Sequence, residues 1–427
     1  MVQDWRAELF ARRTIGVRLG TASMELVLDA LLPGLRQRPP FDVVQIVGTN
    51  GKGSTAALIA HGLATLGGHG PIGLFTSPHL ERIGERVRID GQPLADEAIR
   101  VGVTKVTAAE RLAGVSLSFF EVLTAVALSC FVDAGCRVVV LEAGLGGRLD
   151  ATTAVSPRAI AIARVALDHQ DYLGDTLEAI AAEKAAVIRA GVPVFSVQQA
   201  TEAAAVIETR ARERGARLEF VAPLAAGPRG LLGPHQRHNG ALALAILREL
   251  DPRASAASLD GVSWPGRLER LAVGAGSLWL DVAHNLDGVE ALGAALRQLK
   301  IEPRAIVFGA MADKPAPAMA ARMREHAPLW LVVPAEQGAF DLEGVAAPGE
   351  RRFAGPRDPE LLRALKELLA GAASVVVCGS HYLVGALRAA FGEGSPEVDG
   401  PERSDPIARR VHPAAPPPER LGGEGGE

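Results

Sequence analysis

Only three cysteines occur in the 427 residues: Cys130, Cys136 and Cys378. They sit among apolar neighbours at no metal-binding spacing, which argues against a zinc ribbon or a disulfide scaffold. Reduced core thiols of a cytosolic protein are expected instead. Basic charge is not in surplus either. Lys and Arg number 45 against 49 Asp and Glu, a net charge of -4, so no nucleic-acid footprint is expected. Long hydrophobic runs are missing: stretches such as Val122–Val132 fall short of the about 20 apolar residues a membrane-spanning helix needs. The opening "MVQDWRAELFARR" is charged throughout and has no signal-peptide core. No repeat period is present. A cytoplasmic chain with small-molecule partners, and without nucleic-acid or membrane partners, is the expectation.

What is present is core-forming sequence, 48% hydrophobic and 22% charged, enough for two or three domains. Short apolar runs at Val43–Val47, Ile72–Phe75, Arg137–Glu142, Ala159–Val165 and Pro193–Val197 read as strands. Helical patterns such as Ser54–Leu66, Phe119–Asp133 and Thr176–Ala190 lie between them. That alternation predicts a parallel sheet covered on both faces. After "WPGRLER" it restarts, with strands at Leu278–Val282, Ala305–Gly309, Leu329–Val333 and Ser374–Cys378. The fold class expected is α/β, with a first domain over 1–265 and a smaller one over 266–393. Residues 394–427, rich in Pro, Gly and charge, are expected to be a disordered tail.

The stretch "VVQIVGTNGKGSTAALIAHGL" ends a buried strand, places glycines around a lysine and starts a helix. Such a turn points backbone N–H groups inward, and the helix N-terminus adds partial positive charge. Gly48, Gly51 and Gly53 permit close approach, Lys52 supplies a cation for nucleotide phosphates, and Ser54 and Thr55 supply hydroxyls. The standard phosphate-loop pattern is not met, because Gly53 separates Lys52 from Ser54. An ordinary glycine-rich turn is the plainer alternative.

Ligands of open parallel sheets bind beyond the carboxyl ends of the strands. Three further residues fall at that edge: Glu142 closing "RVVVLE", His169 in "DHQDYLG" and Ser77 in "TSPHLER". Singly, each has a bland reading: a solvated strand end, a structural histidine, a Ser-Pro turn. Lys184 joins them. Leu177, Ile180, Lys184, Val187 and Ile188 form one stripe at helical spacing, and a lysine on a buried stripe is costly unless paired or modified. It could snorkel. A desolvated amine also deprotonates more easily and could take up carbon dioxide as a metal-binding carbamate. Oxygen ligands beside a phosphate cradle suit Mg²⁺ and ATP.

On these residues, and on "GTNGKGS", "TSPHLERIGERVRIDG", "SFFE", "LEAGLGGRLDATT", "DHQDYLG", "EKAAVI", "HQRHN", "PGRLE", "DVAHN" and "CGSHY", the chain resembles the folylpolyglutamate synthase/dihydrofolate synthase family of the Mur ligase superfamily. The resemblance runs to about residue 393. It implies a P-loop ATPase domain followed by a smaller Rossmann-like domain, and ATP-dependent joining of L-glutamate to a pterin carboxylate through an acyl phosphate. Dihydropteroate or reduced folates would be the acceptors, and the chain a monomer. It further implies that Gly48, Thr49, Asn50, Gly51, Lys52, Gly53, Ser54 and Thr55, with Asn239, Arg267 and Asp281, bind ATP. Two Mg²⁺ sites would use Ser77 and Glu142, then His169 and a carbamylated Lys184; Lys52, Glu142, His169 and Lys184 would carry catalysis. Ser118, Phe119 and Phe120, Leu149, Asp150 and Ala151 would line the pterin site, with His284 and Ser380 near glutamate. Ala186 and Val187, Gln170, Val282 and Leu286 depart from the family's commoner residues without removing a ligand. Another Mur-type amino-acid ligase with a different acceptor is the competing reading.

Overall fold

A computed structural model describes residues 4–15, 20–333 and 344–392; the expected tail at 394–427 lies outside the described residues. Two sheets carry the chain. The first has eight strands: β1 (Asp42–Val47), β2 (Ile72–Phe75), β3 (Val87–Ile89), β4 (Gln92–Pro93), β5 (Val138–Glu142), β6 (Ala159–Ile162), β7 (Val194–Val197) and β8 (Leu218–Val221). Their order is β4-β3-β2-β5-β1-β6-β7-β8. Only β3 and β4 run antiparallel to their neighbours. The second sheet holds β9 (Glu269–Val273), β10 (Gly276–Leu280), β11 (Ala305–Phe308), β12 (Leu329–Val332), β13 (Arg351–Phe353) and β14 (Ser374–Cys378). Its order is β13-β12-β11-β14-β10-β9, with only β9 antiparallel. This is the α/β class the alternation indicates.

Both faces of each sheet are covered, which is why the strands read as continuous apolar runs. Val43, Val139 and Leu141 pack under the helix Phe119–Asp133, while Val44, Ile46 and Val140 pack under the helices Lys52–Leu66 and Gln236–Leu250. In the second sheet Ile306 and Val376 face the helix Leu286–Leu299, and Val307 and Val377 face Pro359–Ala370 and His381–Phe391. Cys136 and Cys378 are buried and Cys130 half-buried; burial pushes the Cys130 and Cys136 thiols up to about 11. No helix of the described residues is long and apolar enough to cross a membrane.

Two expected elements are shorter than their patterns by more than one residue. The strand Ala159–Val165 leaves the sheet after Ile162, because Arg164 turns its carbonyl to the Thr49 and Asn50 amides (2.7 and 3.1 Å). The helix Thr176–Ala190 spans Leu177–Ala185. Val187 and Ile188 are buried beyond it, in the turn that returns the chain to β7, so their place in the apolar pattern comes from the core and not from helical periodicity. The short strands β3, β4, β8, β9 and β13 escape the sequence reading. In β9 exposed and half-buried residues alternate and none is buried, so it has no apolar run to find.

Candidate active site

The carboxyl ends of β1, β2, β5 and β6 open on a cavity of about 830 Å³, closed on its far side by the second sheet. β1 lies between β5 and β6, the point where connections leave in opposite directions and a crevice forms. From β1 the chain turns through Gly48 (φ 147°) and Gly51 (φ 88°) into the helix Lys52–Leu66. Gly51 is required twice over: its φ is left-handed, and a β-carbon there would fall 2.3 Å from Asn239 Oδ1. Gly53, the intervening glycine, faces Glu142, Trp264 and Arg267, with a notional β-carbon 3.4, 3.4 and 3.6 Å from their side chains. It keeps clear the passage from the helix N-terminus to those groups.

Lys52 donates to the Thr49 carbonyl (3.1 Å), and burial lowers its pKa against the pull of Glu142 and Asp168. Glu142 closes β5, is 3% exposed, and accepts the Ser77 N–H on Oε2 (3.1 Å). Burial raises its carboxyl, opposed first by Lys52. The two residues expected to share a metal therefore touch. Behind the turn lies a recess of about 30 Å³ between Gly48, Thr49, Lys52, Asp168, His169, Lys184 and His284. Lys184 is 3% exposed and donates to the Gly48 carbonyl (2.9 Å); burial, then the charge of Lys52, pulls it down to about 7. Among the described residues no three His, Cys, Asp or Glu side chains form a ready-made metal cage. Isolated oxygen ligands beside a phosphate cradle fit Mg²⁺, which keeps waters and shares substrate phosphates.

His169 lines both the cavity and the recess, on a left-handed backbone (φ 51°). Its N–H donates to Asp168 Oδ1 (2.9 Å). Asp168, passed over in the sequence, is the hub of this corner: Lys314 Nζ lies 2.7 Å from Oδ1, and Asn285 Nδ2 2.8 Å and His284 Nε2 3.4 Å from Oδ2. Burial alone would raise its carboxyl. The hydrogen bond from His284 and the charges of His284, His169 and Lys314 hold it far below the usual range.

Asn239, Arg267, Asp281 and His284 line the cavity from the helix Gln236–Leu250 and the second sheet. Asp281 accepts the Leu268 and Ala283 N–H groups (both 2.9 Å), and burial raises its pKa. At the other end stand Arg12, Arg13, Arg86, Ser118, Phe119 and Phe120. Phe119 stacks on Phe10 at 5.8 Å and Phe120 meets Phe75 at 5.6 Å. Leu149, Asp150 and Ala151 join them. The Asp150 carboxylate is engaged by the Gly144, Leu145 and Thr152 amides, which shape the loop.

Several expected residues fall elsewhere. Ser380 does not line the cavity: 1% exposed, it caps the helix His381–Phe391 by accepting the Tyr382 N–H (3.2 Å). His381 and Tyr382, which follow it, line the cavity in its place. Thr55 is fully buried behind the turn, and Gly48 faces the recess alone. The Asn50 side chain crosses to Asn285 (3.0 Å) and Asp287 (2.8 Å) at the start of the helix Leu286–Leu299, which packs on the second sheet. Both tyrosines of the chain, Tyr172 and Tyr382, stand in the lining. Lys314, in "MADKP" after β11, had only its place at a strand end to signal it; the N-terminal Arg12 and Arg13 had no signal.

Residues 266–383 match the Mur ligase, glutamate ligase domain. The folylpolyglutamate synthase of Lacticaseibacillus casei is 33% identical over 384 residues, 81% of this chain and 89% of that protein. The dihydrofolate synthase/folylpolyglutamate synthase of Bacillus subtilis is 32% identical over 359 residues, 75% and 82% of the two. The chain spans 55% of a longer relative, the probable bifunctional folylpolyglutamate synthase/dihydropteroate synthase of Halobacterium salinarum, at 33% identity and 97% of its own length. Escherichia coli FolC solved with DHPP and ADP superposes with a TM-score of 0.78 at 28% identity, over 90% of this chain and 96% of that one. A bifunctional folylpolyglutamate synthase/dihydrofolate synthase with Mn, AMPPNP and L-glutamate bound gives 0.79 at 29%, over 91% and 98%. The chain belongs to the folylpolyglutamate synthase/dihydrofolate synthase family of ATP-dependent ligases.

Proposed function

We propose that this ligase joins L-glutamate both to dihydropteroate and to reduced folates. The observation that carries the reading is one cavity with three sectors: an aromatic and arginine-lined end, a phosphate turn beside Glu142, and a wall from the second sheet. The aromatic end at Phe119 and Phe120 suits a flat pterin. Residues 1–265 would hold ATP and acceptor, and 266–393 would present glutamate.

A carboxylate resists attack by an amine, since its charge and resonance oppose it. Transfer of the ATP γ-phosphoryl group gives an acyl phosphate, which an amine can attack with loss of phosphate. Positioning and neutralisation of charge dominate such a transfer. Lys52 and the first-turn N–H groups of the helix Lys52–Leu66 would face the phosphates. Ser77 with Glu142, and His169 with a carbamate on Lys184, would hold two Mg²⁺ ions, which when bound supply Lewis-acid neutralisation of the transferring group. The recess beside Lys184 has room for a small group, and the lowered pKa leaves much of the amine neutral at pH 7. Arg267, Asp281 and His284 would orient glutamate and the nucleotide, while contact between the sheets keeps water from the acyl phosphate.

Purified protein with ATP, Mg²⁺ and glutamate, assayed separately with dihydropteroate and tetrahydrofolate, tests this. Glutamate-dependent ADP release with both is expected. Turnover with only one restricts the assignment, and turnover with a UDP-muramyl acceptor but no pterin overturns it.

A further inference from the structure

The residues that join the two sheets across the cavity are unusually concentrated. Asn50 of the phosphate turn and Asn285 exchange amide hydrogen bonds in both directions (3.0 Å each). Asn285 uses its second N–H on Asp168 (2.8 Å) and its carbonyl also accepts the Gly288 N–H (2.8 Å), so all four of its positions are filled. Asp287 takes Asn50 (2.8 Å) and Arg164 (2.9 Å). Lys314, from the loop after β11, reaches Asp168 at 2.7 Å and its neighbour Asp313 at 3.0 Å. The Lys314 and Asp168 side chains are 6% and 5% exposed.

Asp168 lies in the loop after β6 of the first sheet, yet its side-chain partners, Lys314, Asn285 and His284, come from the segments that follow β11 and β10 of the second. Its own sheet contributes the backbone N–H of His169. That contact matters, because His169 holds a left-handed backbone, uncommon for a residue with a β-carbon. The carboxylate thus ties the His169 peptide on one side and the second sheet on the other. A buried acid needs its partners; with the second sheet withdrawn, Asp168 would turn to water and the His169 peptide would lose its anchor.

We propose that Lys314 is a positioning residue: carried by the second sheet, it grips Asp168 and makes the placement of His169 conditional on closure. It acts through Asp168 and touches no reacting atom. Asn285 extends the same dependence to the phosphate turn through Asn50. The phosphate-transfer geometry is then complete only when the glutamate-bearing sheet is docked, so acyl phosphate is not formed in an open, wet cleft.

The inference rests on the ligase reading for its kinetic arm and on nucleotide binding alone for its structural arm. Full-length Lys314→Met and Lys314→Arg are compared with wild type in steady-state kinetics. Amide hydrogen exchange is measured over residues 164–174, with and without a non-hydrolysable ATP analogue and Mg²⁺. For Lys314→Met, kcat falls about 100-fold, the effect of a small misplacement at a reacting centre. The KM for dihydropteroate, bound on the first sheet, changes less than about threefold, and the analogue no longer slows exchange over 164–174. Lys314→Arg, which keeps the cation, retains kcat within about tenfold of wild type. A wild-type kcat in Lys314→Met overturns the inference, as does a lowered kcat with full protection, which would place Lys314 on the ligand. If wild type turns over no pterin, the ligase reading fails and the exchange arm alone decides the latch.

Discussion

Lys184 reaches the Gly48 carbonyl from a site where burial brings its pKa from 10.5 to about 7. The unfolded chain holds that proton throughout the interval between the two values, so there the unfolded state binds more protons and stability rises with pH. Below about 7 both states are protonated and the cost of burying the ammonium is felt in full. Denaturant melts from pH 6 to 10 should show this rise, on the order of 1 kcal/mol per pH unit, and Lys184→Met should lack it. The neutral amine needed for a carbamate also gains population as pH rises through about 7, so intact mass at high bicarbonate should show bound carbon dioxide more at pH 8 than at pH 6. At Lys52, replacement by Ala should lower glutamate-dependent ADP release at least about 100-fold while the fold is kept, the scale of a lost charge-stabilising donor. Near-normal release would remove the phosphate-turn reading.

The glycine–lysine turn, as an element, makes two demands that can be separated. Ala at position 51 meets a left-handed φ, costing about 1–2 kcal/mol, and collides with Asn239. Ala at position 53 meets ordinary contacts and no positive φ. Calorimetric ATP binding should therefore weaken at least about tenfold in Gly51→Ala and distinctly less in Gly53→Ala. Equal losses would mean that the space before Glu142, and not the backbone conformation, governs the turn. The strand at Val43 and the helix after Lys52 were legible because the apolar run and its break are local. The end of the strand at Ile162 was not, since what pulls Arg164 aside is the phosphate turn from a distant part of the sequence.

Across the whole molecule the two sheets are coupled a second time, through residues other than Lys314. Leu80, three residues after Ser77, packs with the core of the second sheet, and a β-carbon at Gly385 would strike its carbonyl oxygen at 2.2 Å. Arg388 joins Glu81 (2.6 Å) to Glu269 at the start of β9. The loop bearing Ser77 is thus held by the sheet expected to bring glutamate. Arg388→Met leaves two carboxylates facing one another without their cation. It should destabilise by about 2 kcal/mol, less than loss of a partner from a fully buried pair, and resolve a single calorimetric transition into two. One unshifted transition would show the bridge to be inconsequential.

By itself the sequence determined that two mostly parallel α/β sheets follow one another, that Lys52, Glu142 and His169 stand at strand or helix ends and that Lys184 lies on a buried stripe, because periodicity and turn chemistry are written in neighbouring residues. Only the tertiary structure decided that Asp168 and Lys314, 146 positions apart, share one buried ion pair, and that Ser380 caps a helix instead of lining the cavity. Which charges meet depends on how the sheets dock, and a strand-end residue carries no local mark of the partner it will face.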